Sequence, residues 1–353
     1  MKYPVLIPAE DVLARLEEFD AVIDVRSPSE FALDHIPGAI NCPVLNDEER
    51  ATVGTIYKQH NPFEARKLGA ALVAKNIVRH LDERFHAMPK DWNPMVYCWR
   101  GGNRSGSMAL IFAKIGWPVL QLDGGYKEYR RCVIAELETL PLQLRFRAIC
   151  GTTGSGKSRL LHYLAQSGAQ VLDLEQLAAH RGSVLGGLPS DPQPTQKMFD
   201  TRLWHALRSF NPDRVIYVES ESKKIGDLRV PDALMQKMRS SPCVRMQVST
   251  PNRVRLLIED YPHLVEDSGL LGQQLSHLIP LHGREKIGAW HALAESGNTA
   301  ALVEALLVEH YDPAYLRSIE RNFLGYREAR MLELTGIAAS DFSAAAQSLI
   351  EED

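Results

Sequence analysis

Eight consecutive residues limit what this chain can fold into more than any others do. Gly151-Thr152-Thr153-Gly154-Ser155-Gly156-Lys157-Ser158 fits the pattern G-x4-G-K-[ST]. The apolar run RFRAIC (145–150) precedes it and the periodic run RLLHYLAQSG follows it. A strand therefore enters a glycine-rich turn that opens a helix, the setting in which backbone N–H groups converge on a phosphate. In such a loop Gly151, Gly154, Ser155 and Gly156 form the cradle, Lys157 reaches the terminal oxygens and Ser158 is placed to hold Mg²⁺. Further strand patterns lie at QVLDL (170–174), RVIYVES (214–220) and VRMQVS (244–249), which predicts a second α/β sheet built around this loop. The apolar run of RVIYVES ends in Glu219 and Glu221 where an Asp is commoner, so Glu219 is a candidate for orienting the cation and phosphate binding is read with more weight than nucleotide hydrolysis. GGLPSDPQPTQ (186–196), with three prolines, reads as a flexible loop.

The first part of the chain carries its own alternation of strands and helices. AVIDV (21–25), MVYC (95–98) and VLQLDGG (119–125) read as strands, HIPGAIN (35–41) as a turn-rich loop, and 51–88 as helical. Between the second strand and the helical run SGSMALIFAKIG lies Cys98-Trp99-Arg100-Gly101-Gly102-Asn103-Arg104-Ser105. Glycines let this loop curl its amides around one centre. A cysteine at its mouth is expected to have a lowered pKa, through those dipoles and through Arg100 or Arg104. Cys98, Arg100 and Arg104 are the candidate catalytic residues. Trp99, Gly101, Gly102 and Asn103 are candidates for contacting substrate, Trp99 by stacking on a base.

Composition narrows the function classes. The 353 residues suffice for two or three domains, and no apolar run is long enough to span a bilayer. The N-terminus does not read as a signal peptide, and five scattered cysteines make neither a disulfide framework nor a zinc site, so a reducing cytoplasm is expected. Charge is uneven: net −2 over 1–140, +6 over 141–260 and −8 over 261–353. The basic middle segment carries Arg181, Lys197, Arg202, Arg253 and Arg255, which are expected around the phosphate loop as RNA or diphosphate contacts. STPNRVRLL follows a strand as the phosphate-clamping arginines of small nucleotide kinases do. Histidines show no metal-ligand spacing, Trp204 is at core spacing in its helix, and no coiled-coil pattern suggests an oligomer, so a monomer is expected.

Two resemblances follow from these residues. Asp24-Val25-Arg26-Ser27-Pro28-Ser29-Glu30-Phe31, His35-Ile36-Pro37-Gly38-Ala39-Ile40-Asn41, the Cys98 loop and Leu122-Asp123-Gly124-Gly125-Tyr126 together resemble the rhodanese family over roughly 8–137, with a helical insertion between about 45 and 90. That resemblance implies that Cys98 carries the transferred chalcogen as a covalent intermediate. The spacing Cys98-x5-Arg104 is one residue longer than the Cys-x4-Arg of common single-domain rhodaneses. It is similar to the loop of rhodanese-fold phosphatases, and it suits a larger or tetrahedral ligand such as selenophosphate.

A rhodanese-like part followed by a P-loop part, with HRGSVLGGL and QPTQKMFDTRLW in the second, resembles the tRNA 2-selenouridine synthase family. This implies an α/β chain made of a rhodanese-like parallel-sheet domain (1–138), a P-loop domain (142–267) and a helical C-terminal region (268–353). It implies a wobble 2-thiouridine substrate in tRNAs for lysine, glutamate and glutamine. Geranyl diphosphate and selenophosphate are the implied co-substrates, with no tightly bound organic cofactor, and an enzyme that supplies selenophosphate is a possible partner. Three other readings stay open on the sequence: a plain sulfurtransferase, a Cys-x5-Arg phosphatase, and an RNA-binding module without turnover.

Overall fold

Strands that read as unbroken apolar runs are those covered on both faces, and the inner strands Pro94–Tyr97 and Val215–Glu219 are of that kind. The computed structural model describes residues 3–182, 186–187 and 192–352. The chain divides into two units, 1–137 with 194–205, and 138–193 with 206–353.

The first unit holds β1 (Val5–Ile7), β2 (Ala21–Asp24), β3 (Ile40–Asn41), β4 (Pro94–Tyr97) and β5 (Leu120–Leu122) in one parallel sheet of order β1-β5-β4-β2-β3. Every residue of the central strand β4 is buried. The helix Asn103–Ile115 lays Met108, Ala109, Phe112 and Ala113 on the sheet. The insertion is helical, Asp47–Gln59 and Pro62–His80, and contributes Val73 and Ile77 to the same core. Asn46 and Asn61 start these helices by accepting hydrogen bonds from the Glu49 and Phe63 amides, at 2.8 Å each.

The second unit holds β6 (Arg145–Cys150), β7 (Gln170–Leu172), β8 (Val215–Glu219), the short hairpin β9 (Lys224–Ile225) with β10 (Leu228–Arg229), then β11 (Cys243–Val248) and β12 (Arg330–Leu334). Its main sheet is parallel, of order β12-β11-β6-β8-β7.

The structure differs from the sequence reading in two places. The stretch 268–353 is helical to Asn322, but Arg330–Leu334 then pairs with β11 as an edge strand. The helix Ala339–Ile350 returns Phe342, Ala345, Ala346 and Leu349 to the core beneath the P-loop helix. The residues of β12, RMLEL, are good helix formers, so only pairing with a strand some 80 residues away in sequence makes them extended. Second, 194–205 belongs to the first unit. There Arg130 donates to the Lys197 carbonyl at 3.0 Å and pairs with Asp200 at 2.9 Å, while Trp204 is buried with its indole N–H on Glu136. Residues 188–191 of the proline-rich loop lie outside the described residues, as does 183–185 of HRGSVLGGL.

Candidate functional sites

Cys98 is the first residue past β4 and is only 2% exposed. The thiol expected at the mouth of the loop is thus covered by the loop itself. Its S–H points to the Arg100 carbonyl at 3.6 Å, and the Ser105 hydroxyl donates to the sulfur at 3.3 Å. Gly101 and Gly102 take φ of +64° and +74°, which turns the chain tightly enough for Gly102 to start the helix Asn103–Ile115. Amides from Trp99 to Ser105 donate to no acceptor among the described residues, while Trp99 and Cys98 use their carbonyls to accept from Lys127 and Tyr126. A run of unbonded N–H groups at a helix start favours an anion. Gly125 makes the approach feasible: a Cβ there would sit 2.5 Å from the Cys98 carbonyl oxygen.

The stretch upstream holds this loop from behind. Arg104 pairs with Glu30 at 2.8 Å, and Glu30 also takes Arg50 at 3.0 Å. Burial alone would push the Glu30 carboxyl up, but Arg104 overrides it and the carboxyl lies at about 2. The Arg104 charge, expected to face the thiol, is therefore shared with Glu30. Arg100 is exposed, as are Trp99, Gly101 and Asn103. Arg26 is buried, wrapped around Asp24 with a donor on the Asp34 carbonyl at 2.6 Å. Tyr126 lies over Arg26 at 3.9 Å and bonds Asp34, and Trp99 stacks on Tyr126 with ring centroids 5.4 Å apart. Trp99 thus presents a 38% exposed indole on a supported aromatic platform beside the cysteine loop.

In the second unit the eight-residue loop joins β6 to the helix Lys157–Gln166 as expected. Gly154 and Gly156 have φ of +76° and +79°, and a Cβ at Gly156 would collide with the Phe342 ring at 2.7 Å. Lys157 donates back to the Gly151 carbonyl at 2.9 Å, across the hollow of the loop. The Ser155 hydroxyl is buried with no partner among the described residues. Tyr315, which no pattern in the sequence singled out, accepts from the Gly151 amide at 2.7 Å and lies under Lys157. A cavity of about 450 Å³ opens from the loop, lined among others by Lys157, Ser158, Glu175, Arg181, Arg239 and Tyr315.

Acids sit at one side of this cavity. Ser158 donates to Glu175 at 3.1 Å, and the Glu175 amide donates to Glu219 at 2.9 Å. Burial, then the nearby Glu221 charge, pushes the Glu175 carboxyl up to about 7, and burial raises Glu219 well above the ordinary range. Glu219 thus stands behind Glu175 rather than beside Ser158. Among the described residues no three carboxylates, imidazoles or thiols cluster to hold a metal by themselves. Glu175 is legible only after the fold is known, as the second residue past the Asp173 cap that follows β7.

The basic residues divide. Arg181 lines the cavity with its guanidinium 4.7 Å over the Tyr261 ring. Arg253 does not clamp phosphate in this arrangement: it is buried, bonded to the Thr153 carbonyl at 2.9 Å and paired with Asp312 at 2.5 Å, and so braces the loop. Arg255 is exposed on the same helix and does not line the cavity. Lys197 and Arg202 belong to the first unit. Arg239, missed in the sequence, lines the cavity with a buried Nε that has no partner among the described residues.

Comparison with known proteins supports the same division. The rhodanese-like domain model matches residues 8–132, and the tRNA 2-selenouridine synthase AAA domain model matches 144–275. A tRNA 2-selenouridine synthase of Nitrosomonas europaea is 36% identical, covering 89% of this chain and 93% of its own length. Those of Bdellovibrio bacteriovorus and Alcanivorax borkumensis are 32% and 33% identical, over 85% and 83% of this chain and 89% and 88% of theirs. With both halves matched in order and nearly the full length aligned, the chain belongs to the tRNA 2-selenouridine synthase family.

Proposed function

We propose that the chain replaces the sulfur of a wobble 2-thiouridine by selenium, in tRNAs for lysine, glutamate and glutamine, through an S-geranyl intermediate. Thiocarbonyl sulfur is a poor leaving group, and alkylation improves it. In the first step the sulfur bonds to C1 of geranyl diphosphate, the C1–oxygen bond breaks, pyrophosphate leaves, and the base gives its N3 proton to solvent. In the second step selenium from selenophosphate takes the place of sulfur at C2, the S-geranyl group departs as a thiol, and the phosphoryl group passes to water.

The observation that carries this reading is the presence of two anion cradles of different kinds in one chain of this family: a glycine-curled loop around Cys98, and a P-loop opening into a cavity of about 450 Å³. We assign the first step to the P-loop. Its amides and Lys157 would hold the departing pyrophosphate, with Arg181 and Arg239 as further cations on the cavity wall. Ser158 and Glu175 would hold a Mg²⁺ ion, and such an ion would supply charge neutralisation to the leaving group. We assign the second step to the Cys98 loop: the Cys98 thiolate attacks the phosphorus of selenophosphate, the P–Se bond breaks to free selenide, selenide displaces the geranylthiolate at C2, and water hydrolyses the phosphocysteine, with the amides from Trp99 to Ser105 holding the phosphoryl oxygens, Arg100 at the loop's open side and Arg104 held in place by Glu30. Trp99 offers the surface on which the base stacks.

Substituting Lys157→Ala and measuring the two steps separately tests the assignment. Geranylation of thiolated tRNA should fall by roughly 100-fold or more. Selenation of tRNA already geranylated should remain. Unchanged geranylation would remove diphosphate from the P-loop.

A further inference from the structure

The P-loop cavity has an apolar annex. A slot of about 70 Å³ opens beside it, between the helices Thr250–Asp260, Pro262–Glu266, Ser268–Ser276 and Thr299–Leu306. The two spaces share part of one wall: Thr153, Leu257, Tyr261 and Tyr311 line both. Thr153 belongs to the phosphate loop itself, so the slot begins where the cradle ends. Ile258, Leu302, Val303 and Leu306 make much of the rest of its surface.

Among the described residues, the slot's lining contains no charged or amide side chain. A ribose or a nucleobase would find few partners there for its polar edges and would lose those that water gives it. A hydrocarbon loses nothing and gains burial. At about 10–15 Å³ for each water-sized position, the slot takes roughly five such positions, close to one isoprene unit. Polar cavity and apolar slot in sequence match a molecule with a diphosphate head, a short bridging segment and a branched hydrocarbon end.

Resting on the reading of the P-loop as a diphosphate site, we infer that this slot seats the terminal isoprene unit of a prenyl diphosphate and sets the chain length that the enzyme accepts. Tyr261 stands at the junction, with Arg181 over its ring on the cavity side. Leu257, half-buried, lies against Gly154, where a Cβ would come within 2.9 Å of it, so the phosphate loop and the slot wall are in contact. Val303 and Thr299 are half-buried and face the slot, so a larger side chain at either would occupy it without replacing a fully buried core residue.

The test titrates the full chain with inorganic pyrophosphate, dimethylallyl diphosphate and geranyl diphosphate. In the unsubstituted protein geranyl diphosphate should bind tightest, with the gain arising at the second isoprene unit. In Val303→Phe that gain should disappear, weakening geranyl diphosphate by roughly ten-fold or more while pyrophosphate binds as before. Thr299→Phe is the second variant, and unchanged pyrophosphate affinity reports that each protein is folded. If both folded variants bind geranyl diphosphate as the unsubstituted protein does, the slot is not the tail site, although the diphosphate reading stands. If the unsubstituted protein binds none of the three, the diphosphate reading fails and the slot proposal with it.

Discussion

Glu30 joins three distant parts of the first unit at one carboxylate. It accepts from the Ser27 amide at the start of its own helix, and it pairs with Arg50 of the insertion and Arg104 of the cysteine loop. Its pKa is displaced downward from 4.5 to about 2. A depressed carboxyl stabilises the fold above its unfolded value and ceases to do so as pH falls through the folded one. Glu30→Gln should therefore lower stability by roughly 1–3 kcal/mol at neutral pH, a range kept small because the pair is partly solvated. The difference between the two proteins should shrink as pH falls from about 4.5 toward 2. Denaturant melts across that range check it, and a difference that does not change with pH would mean that the ion pairs contribute nothing. Burial pushes the Cys42 thiol up to about 11 and raises Cys132, and Cys150 is raised by its contact with Cys243 and by burial.

At the scale of elements, what was legible is what local chemistry fixes. The strand–loop–helix around Lys157 and the one around Cys98 announce themselves by glycines at turns and apolar runs beside them. The expectation that Trp99 stacks on a base rested on its adjacency to Cys98, and the structure shows its exposed indole stacked on Tyr126. What was not legible depends on partners far along the chain. Arg253 looks like a phosphate clamp until Asp312 is found beside it, and Lys197 reads with the P-loop segment in sequence until Arg130 and Asp200 are seen to tie its helix to the first unit. The strand β12 is the clearest case: its residues favour a helix, and its pairing with β11 decides otherwise. Leu332, buried in that strand, should cost roughly 2–4 kcal/mol when cut to alanine. Exposed Met331 should cost no more than about 0.5 kcal/mol. Equal losses at the two positions, measured by denaturant unfolding, would contradict the alternation of a half-covered edge strand.

At the scale of the whole molecule, the chain carries its chemistry in two units and its charge unevenly, with the net-basic stretch at 141–260. Among the described residues no helix is long and apolar enough to cross a membrane. On the proposed two-step reading, the P-loop serves alkylation and the Cys98 loop serves selenium delivery, so blocking either should stop the reaction at a different nucleoside. The cysteine is the stricter case because its sulfur is almost fully covered by the loop that is meant to present it. Mass spectrometry of tRNA nucleosides from cells whose only copy of the protein carries Cys98→Ser tests this directly. The account expects 2-selenouridine to vanish while 2-thiouridine and its S-geranyl form persist; 2-selenouridine at the unsubstituted level would contradict it.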